Sequence, residues 1–275
     1  MPKTELHVHS TFSDGHLTPE EIIKEAAKQE CQLVAFTDHD EVGAYKQALA
    51  PAQQAGIRLI PGIELNTDGA DGELHILGFF FDPDHPDMTA HIAWRKDERR
   101  SWAQKIIDQL KAFNYEITLD DAMQHAPGDI LVRTHIAEAL VEKNYFSTAH
   151  DAYHRMLVKG TPGFVPRAPF SARDAIKLIH ISGGEAYLAH PGAYRFPVDA
   201  ERLLTYGLDG VEVYHSKHTE ETERYWRAFV TEHDLFASGG SDHHGPDSRN
   251  PYPIGSVQLD DQSKRHWLNR VDASL

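Results

Sequence analysis

Short apolar runs alternate with amphipathic stretches at both ends of the chain, and that alternation lapses in the middle. In Glu5-Leu6-His7-Val8-His9 the apolar residues fall on one face of an extended strand and the two imidazoles on the other. Thr18-Pro19-Glu20-Glu21 then signals a helix start, with Thr as N-cap, Pro at the first position and Glu at the third. Ile22, Ile23, Ala26 and Ala27 supply its apolar stripe. Leu33-Val34-Ala35-Phe36-Thr37 predicts a buried strand that ends in Asp38-His39-Asp40, and a helix over 42–55 is closed by Gly56. A strand over 57–65 carries Glu64 near its end, and one over 73–79 carries His75 early.

Between residues 86 and 167 the pattern is helical throughout. Trp102, Ile106, Leu110 and Phe113 recur at helical spacing, Thr118-Leu119-Asp120-Asp121 opens another helix, and 134–144 and 147–159 predict two more. Alternation resumes with a helix over 171–182 and a strand ending in His190-Pro191-Gly192. A strand ending at His215, a helix over 219–233 and a strand running into Ser241-Asp242-His243-His244 complete it. The organisation predicted is one α/β domain, residues 1–85 and 168–275, interrupted by a helical subdomain at 86–167. Strands alternating with helices predict a parallel sheet of about seven strands, closed or nearly closed as a barrel. In such barrels the active site lies at the C-terminal strand ends.

Composition narrows the partners. The formal charge of −15 disfavours duplex DNA, whose binding draws on Lys and Arg neutralising phosphates. Divalent ions bound at one place would still let an acidic protein attract a phosphate there. No apolar run approaches the ~20 residues of a membrane span. No charged-then-apolar leader stands at Met1–Glu5, and Cys31, the only cysteine, leaves no disulfide, so a cytoplasmic protein is expected.

The 19 histidines are not in a tag-like tract, so individual positions must explain them. His7, His9, Asp14, His39, Glu64, His75, His135, Asp242 and His244 stand at or near predicted strand ends or in the insertion. His-x-His alone fits either a metal seat or a half-buried strand with polar residues facing water. The joint placement of imidazoles and carboxylates, with no thiolates, suits zinc, manganese or iron. His16, His85, His91, His125, His150, His154, His180, His233 and His266 fall in turns or helices and are expected to be solvated.

His7-Val8-His9, Thr37-Asp38-His39, Pro61-Gly62-Ile63-Glu64, Ala189-His190-Pro191-Gly192 and Ser241-Asp242-His243-His244, in that order, resemble the motifs of the PHP family, named for polymerase and histidinol phosphatase. The resemblance spans almost the whole chain. It implies a distorted (β/α)7 barrel holding three divalent metal ions that hydrolyses phosphoesters. By motif, His7, His9, Glu64 and Asp242 would hold the first ion. Glu64 would bridge to a second held by His75 and His135, and Asp14, His39 and His244 would hold the third.

No Gly-x-Ser-x-Gly elbow is present, and Cys31 has no His nearby in sequence, so a covalent nucleophile is disfavoured. A metal-bridging hydroxide attacking phosphorus is expected instead. His190 either protonates the leaving oxygen, binds phosphate, or is a hydrogen-bonded strand-end residue. Arg133, before Thr134 as N-cap, is either a phosphate seat or a surface arginine, and His215 is expected to touch substrate. The insertion, Arg133-Thr134-His135 and Lys159–Val165 further resemble the branch holding nucleoside 3′,5′-bisphosphate phosphatases and 5′–3′ exoribonucleases of short RNA. That branch implies a capped barrel mouth selecting a nucleotide, with the 3′-phosphate of a bisphosphate as the leading target. A single-stranded short RNA, a small metabolite of the histidinol phosphate type, and a non-catalytic metal scaffold are the alternatives.

Overall fold

A computed structural model describes residues 3–248 and 250–274. The first unit follows the predicted pattern. Strand β1 (Lys3–Val8) leads to helix α1 (Pro19–Lys28), where the Thr18 side chain accepts from the Glu21 amide and Glu21 reaches back, the full capping box. Strand β2 (Cys31–Phe36) and helix α2 (Gly43–Ala55) follow, the latter ended by Gly56 at φ +70°. The single strand predicted over 57–65 is two: Pro61 has no amide hydrogen to give a ladder and separates β3 (Arg58–Ile60) from β4 (Gly62–Asn66).

Those two strands belong to different sheets. One is parallel, ordered β1-β2-β3. The other is ordered β4-β5-β6-β7-β8, with β5 (His75–Phe79), β6 (Glu185–Leu188), β7 (Gly210–His215) and β8 (Phe236–Gly240). Strand β5 runs antiparallel to both neighbours, which corrects the all-parallel expectation. The physical reason is the connection: residues 67–74 between β4 and β5 hold no crossover helix, so the chain can only turn back. The reversal sets Asn66 opposite His75, so the start of β5 lies beside the end of β4.

The sheets also meet through backbone bonds close to the site. Val8 bridges His243, and the Asp242 amide donates to the His7 carbonyl at 2.8 Å. On the other side, His39 bridges Glu64, with the Asp40 amide donating to the Glu64 carbonyl at 3.0 Å.

Residues 86–167 hold α3 (Pro86–Ala112), α4 (Leu119–Met123), α5 (Arg133–Glu142) and α6 (Ala149–Ala152), which runs into a π-turn at Tyr153–Leu157. Trp102, Ile106, Leu110, Ile136, Leu140 and Leu157 pack in a core of its own. Helix α5 begins at Arg133 rather than after a Thr134 cap, because the His135 ring accepts the Val132 amide and closes the first turn. Helices α7 (Ala172–Ile181), α8 (Ala200–Leu204) and α9 (Glu220–Glu232) alternate with the later strands, and α10 (Asp261–Ser274), unassigned from sequence, closes the described chain. Its Trp267 is fully buried against Phe79 and Tyr187.

Candidate metal centre

The ends of β1, β2, β4, β7 and β8 and the start of β5 converge, and their polar side chains turn inward. His7 Nε2, His9 Nε2, Glu64 Oε2 and Asp242 Oδ1 form one group. The two nitrogens are 3.2 Å apart, His7 is 3.5 Å from Glu64 and 3.3 Å from Asp242, and His9 is 3.1 and 3.3 Å from the same oxygens. Four ligands placed tetrahedrally about 2.0–2.1 Å from an ion stand about 3.3 Å from one another. The separations within His7, His9 and Asp242, and of both imidazoles from Glu64, therefore fit a metal of that class.

Glu64 is shared. Its Oε1 lies 2.7 Å from His75 Nδ1 and 3.0 Å from His190 Nε2, and its Oε2 3.0 Å from His39 Nδ1. A third group gathers at Asp14 Oδ1, with His244 Nε2 at 3.2 Å, His9 Nδ1 at 3.6 Å and His39 Nε2 at 3.8 Å. Eight of the nine residues expected to ligate thus come together, and His190 is the ninth. His135 joins none of these groups among the described residues. It is the third residue of α5, and its Nδ1 is used in the helix cap 3.4 Å from the Val132 amide.

The surrounding shell fixes which ring nitrogens face inward. Glu212 Oε1 takes His7 Nδ1 at 2.9 Å, leaving Nε2 as the inward atom, and Glu212 Oε2 accepts the His190 amide at 2.7 Å. His244 Nδ1 donates to the Asp242 carbonyl at 2.8 Å, so its unprotonated Nε2 faces Asp14. Such partners orient the imidazoles that hold metals. His243 instead turns to the Tyr252 carbonyl at 2.7 Å.

His215 is not in the donor groups. Its Nδ1 accepts the Lys217 amide at 3.1 Å and its Nε2 reaches Asp242 Oδ2 at 3.4 Å, where Asn250 also donates at 2.6 Å. These contacts hold the carboxylate with Oδ1 toward His7 and His9. Asp38 likewise accepts from the Ser10 amide and the Ser10 and Ser13 hydroxyls. Backbone strain collects here as well: Asp40, His190 and Asp242 sit at φ +51°, +29° and +54°.

Burial and charge compete across this cluster. Burial would raise the Glu64 and Asp242 carboxyls, but the facing imidazoles, His39, His75 and His7 for Glu64 and His7 and His244 for Asp242, hold both well below the carboxylate range. Burial would lower His9, yet hydrogen bonds to Asp242 and Glu64 push it up to about 10. For His39 burial wins over the attraction of Glu64 and Asp14 and brings it down to about 4. The carboxylates thus draw positive charge into a dry site, the electrostatic demand a divalent cation meets.

Two cavities open on the cluster. A small chamber of about 110 Å³ is lined by Asp14, His39 and His75 together with Arg133, Tyr153 and Arg167. The guanidinium groups of Arg133 and Arg167 both pack on the Trp102 ring, 5.3 and 4.3 Å from its centroid. A wider groove of about 770 Å³ touches Asp14 and His244 on the other side and runs past Tyr153, His154 and Lys217.

The positions that sequence missed lie behind the ligands. Glu212 had a signal, a lone carboxylate inside the apolar strand Gly210-Val211-Glu212-Val213-Tyr214. So did His91, Arg95 and Arg99, spaced four apart on α3. All three approach Asp40: Arg99 through Nε at 3.2 Å and a closer contact of its terminal nitrogen, Arg95 at 3.6 Å and His91 at 3.8 Å. His91 is therefore buried, its ring tilted against Phe170 at 4.4 Å between centroids, not solvated as expected.

The PHP domain model matches residues 5–227. The 5′-3′ exoribonuclease Rnm of Escherichia coli strain K12 is 34% identical over 249 residues, covering 88% of this chain and 85% of that protein. The 3′,5′-nucleoside bisphosphate phosphatase of Chromobacterium violaceum is 33% identical over 252 residues, covering 90% and 88%. An amidohydrolase from Chromobacterium violaceum, solved with bound sulfate and no metal, superposes with a TM-score of 0.88 at 31% identity, covering 99% of this chain and 96% of that one.

Proposed function

This chain belongs to the PHP domain family of phosphoric ester hydrolases, and we propose that it removes the 3′-phosphate of a nucleoside 3′,5′-bisphosphate. The observation that carries the substrate reading is the shared chamber. His39, His75 and Asp14, all metal donors in this reading, line the same small cavity as Arg133 and Arg167, so one molecule can present one phosphoryl group to the donors and a second to the arginines. Arginine forks suit phosphate oxygens in a way point charges do not.

By their separations, His7, His9, Glu64 and Asp242 would hold one ion, Glu64, His75 and His190 a second, and Asp14, His39 and His244 a third. Manganese, zinc or iron bound there would supply Lewis acidity and lower the pKa of a coordinated water. Glu212, Asn250 and His215 would act on the donors, fixing the tautomer of His7 and the rotamer of Asp242. Arg133 and Arg167 would hold the phosphoryl group that is not cleaved, and residues 86–167 would cap the mouth of a distorted barrel formed by the two sheets.

A second reading, 5′–3′ trimming of short single-stranded RNA, is favoured by the wide groove beyond Asp14 and His244 and by the exoribonuclease relative. An oligonucleotide could pass along that groove with its terminal phosphoryl group in the arginine chamber. The test is phosphate release from adenosine 3′,5′-bisphosphate, with manganese and with chelator, for wild type and Asp14→Ala. Manganese-dependent release that the substitution abolishes is expected. Nucleoside monophosphate released from 5′-phosphorylated RNA, with the bisphosphate untouched, would select the second reading. Hydrolysis of histidinol phosphate alone would sink both.

A further inference from the structure

We infer that Glu73 is a specificity-determining residue: an internal counter-anion that holds the arginine chamber until a second phosphoryl group displaces it. The inference rests on the bisphosphate reading above. Glu73 belongs to none of the metal-donor groups, yet it lines the same chamber as Arg133, Arg167, His39 and His75. Its two oxygens lie 3.3 Å each from the two terminal nitrogens of Arg133, the parallel fork that a phosphate would also make.

The pair is lopsided. The Arg133 side chain is 13% exposed, pressed between the Trp102 and Phe164 rings, whereas the Glu73 side chain is 45% exposed. A buried guanidinium left without an anion is costly, so something must face it. A carboxylate already half in water can swing outward with little loss. The backbone need not follow: the Thr67 amide and hydroxyl both donate to the Leu74 carbonyl, at 2.9 and 2.8 Å, and Leu74 is buried. A side-chain rotation is enough.

Glu73 also leaves donors unused. Arg133 Nε is buried without a hydrogen-bond partner among the described residues, and Arg167 Nη1 has a carboxylate, Glu98, only at 3.9 Å. A flat carboxylate has two oxygens and reaches one fork, while a phosphoryl group has three and carries more charge. The exchange is therefore favourable for a dianionic phosphoryl and gains nothing for a monoanionic ligand. A substrate lacking the second phosphoryl group leaves Glu73 where it is.

The test is calorimetric titration of the metal-stripped protein at fixed ionic strength with adenosine 5′-monophosphate, whose one phosphoryl group is the one assigned to the arginines, and with adenosine, for wild type, Glu73→Gln and Arg133→Met. Wild type is expected to prefer the monophosphate and Arg133→Met to lose that preference. Glu73→Gln should bind the monophosphate roughly fivefold more tightly, about 1 kcal/mol, with adenosine unchanged. Monophosphate affinity that is unchanged or weaker in Glu73→Gln, while wild type still discriminates, overturns the inference alone. Equal wild-type affinity for the two ligands overturns the bisphosphate reading and this inference with it.

Discussion

Replacing Asp40 by Asn tests whether helix α3 is fastened to the strand-end cluster through charge. Asp40 is fully buried and accepts from Arg99 through two nitrogens, with Arg95 at 3.6 Å. Without its charge, Arg95 still faces Glu98 at 3.3 Å, a carboxylate that also lies 3.9 Å from Arg167. Breaking a buried pair by removing one partner costs about 3–5 kcal/mol. Glu98, with the carbonyls of Asn66 and Leu131 at 2.8 Å from Arg95 and Arg99, offsets part of the loss. The lower end, about 3 kcal/mol, is therefore expected, or a fall in Tm of roughly 6–12 °C for a chain of this size. Thermal unfolding followed by circular dichroism, in chelator so that bound metal does not contribute, reads it directly. Asp151→Asn, which removes an exposed pair with Arg155 at 3.3 Å, serves as the control and should shift Tm little. Burial would raise the Asp40 carboxyl, but Arg99 and Arg95 hold it well below its ordinary value. Its contribution is thus complete above the unfolded value of about 3.9 and is lost as pH falls toward the depressed one. The difference between wild type and Asp40→Asn must shrink on acidification from pH 4 downward. A fall of under about 2 °C at neutral pH, or one that persists undiminished in acid, would refute the reasoning.

Two further outcomes bear on the centre itself. Glu212→Gln should weaken manganese binding about 10–100-fold, because the amide no longer fixes the His7 tautomer as a carboxylate does, and competition with a metal-sensitive dye measures it. His190→Ala should lower the number of metal ions retained after gel filtration, whereas His135→Ala should leave that number unchanged and act only on stability.

Local chemistry was the legible part of the sequence. The capping boxes at Thr18 and Thr118 each lie within four residues and form as their spacing predicts. Strand-end imidazoles are legible for the same reason: His7 and His9 share a face by the pleat alone. What depends on contact between distant segments was not. His135 and His190 are both histidines beside plausible motifs, and only the fold distinguishes a ring that caps its own helix from one 3.0 Å from Glu64. The reversal of β5 was hidden because a five-residue strand reads the same in either direction, and the turn before it carries no signal of sheet order. The four-residue spacing of Arg95 and Arg99 was visible in the sequence, but not that it aims both at Asp40.

Helix α3 runs unbroken for 27 residues, about 40 Å at 1.5 Å per residue. Met88 and Ile92 pack in the main core, Arg95 and Arg99 face Asp40, and Trp102, Ile106 and Leu110 belong to the insertion's core. The helix therefore works as a ruler with three marks in phase. Adding or deleting one residue between Ile92 and Trp102 would turn everything beyond it by about 100° and carry Trp102 out from under the two arginines. Length variation among descendants of this chain should accordingly collect in the turns after α5 and before α7, and spare the span from Ile92 to Trp102.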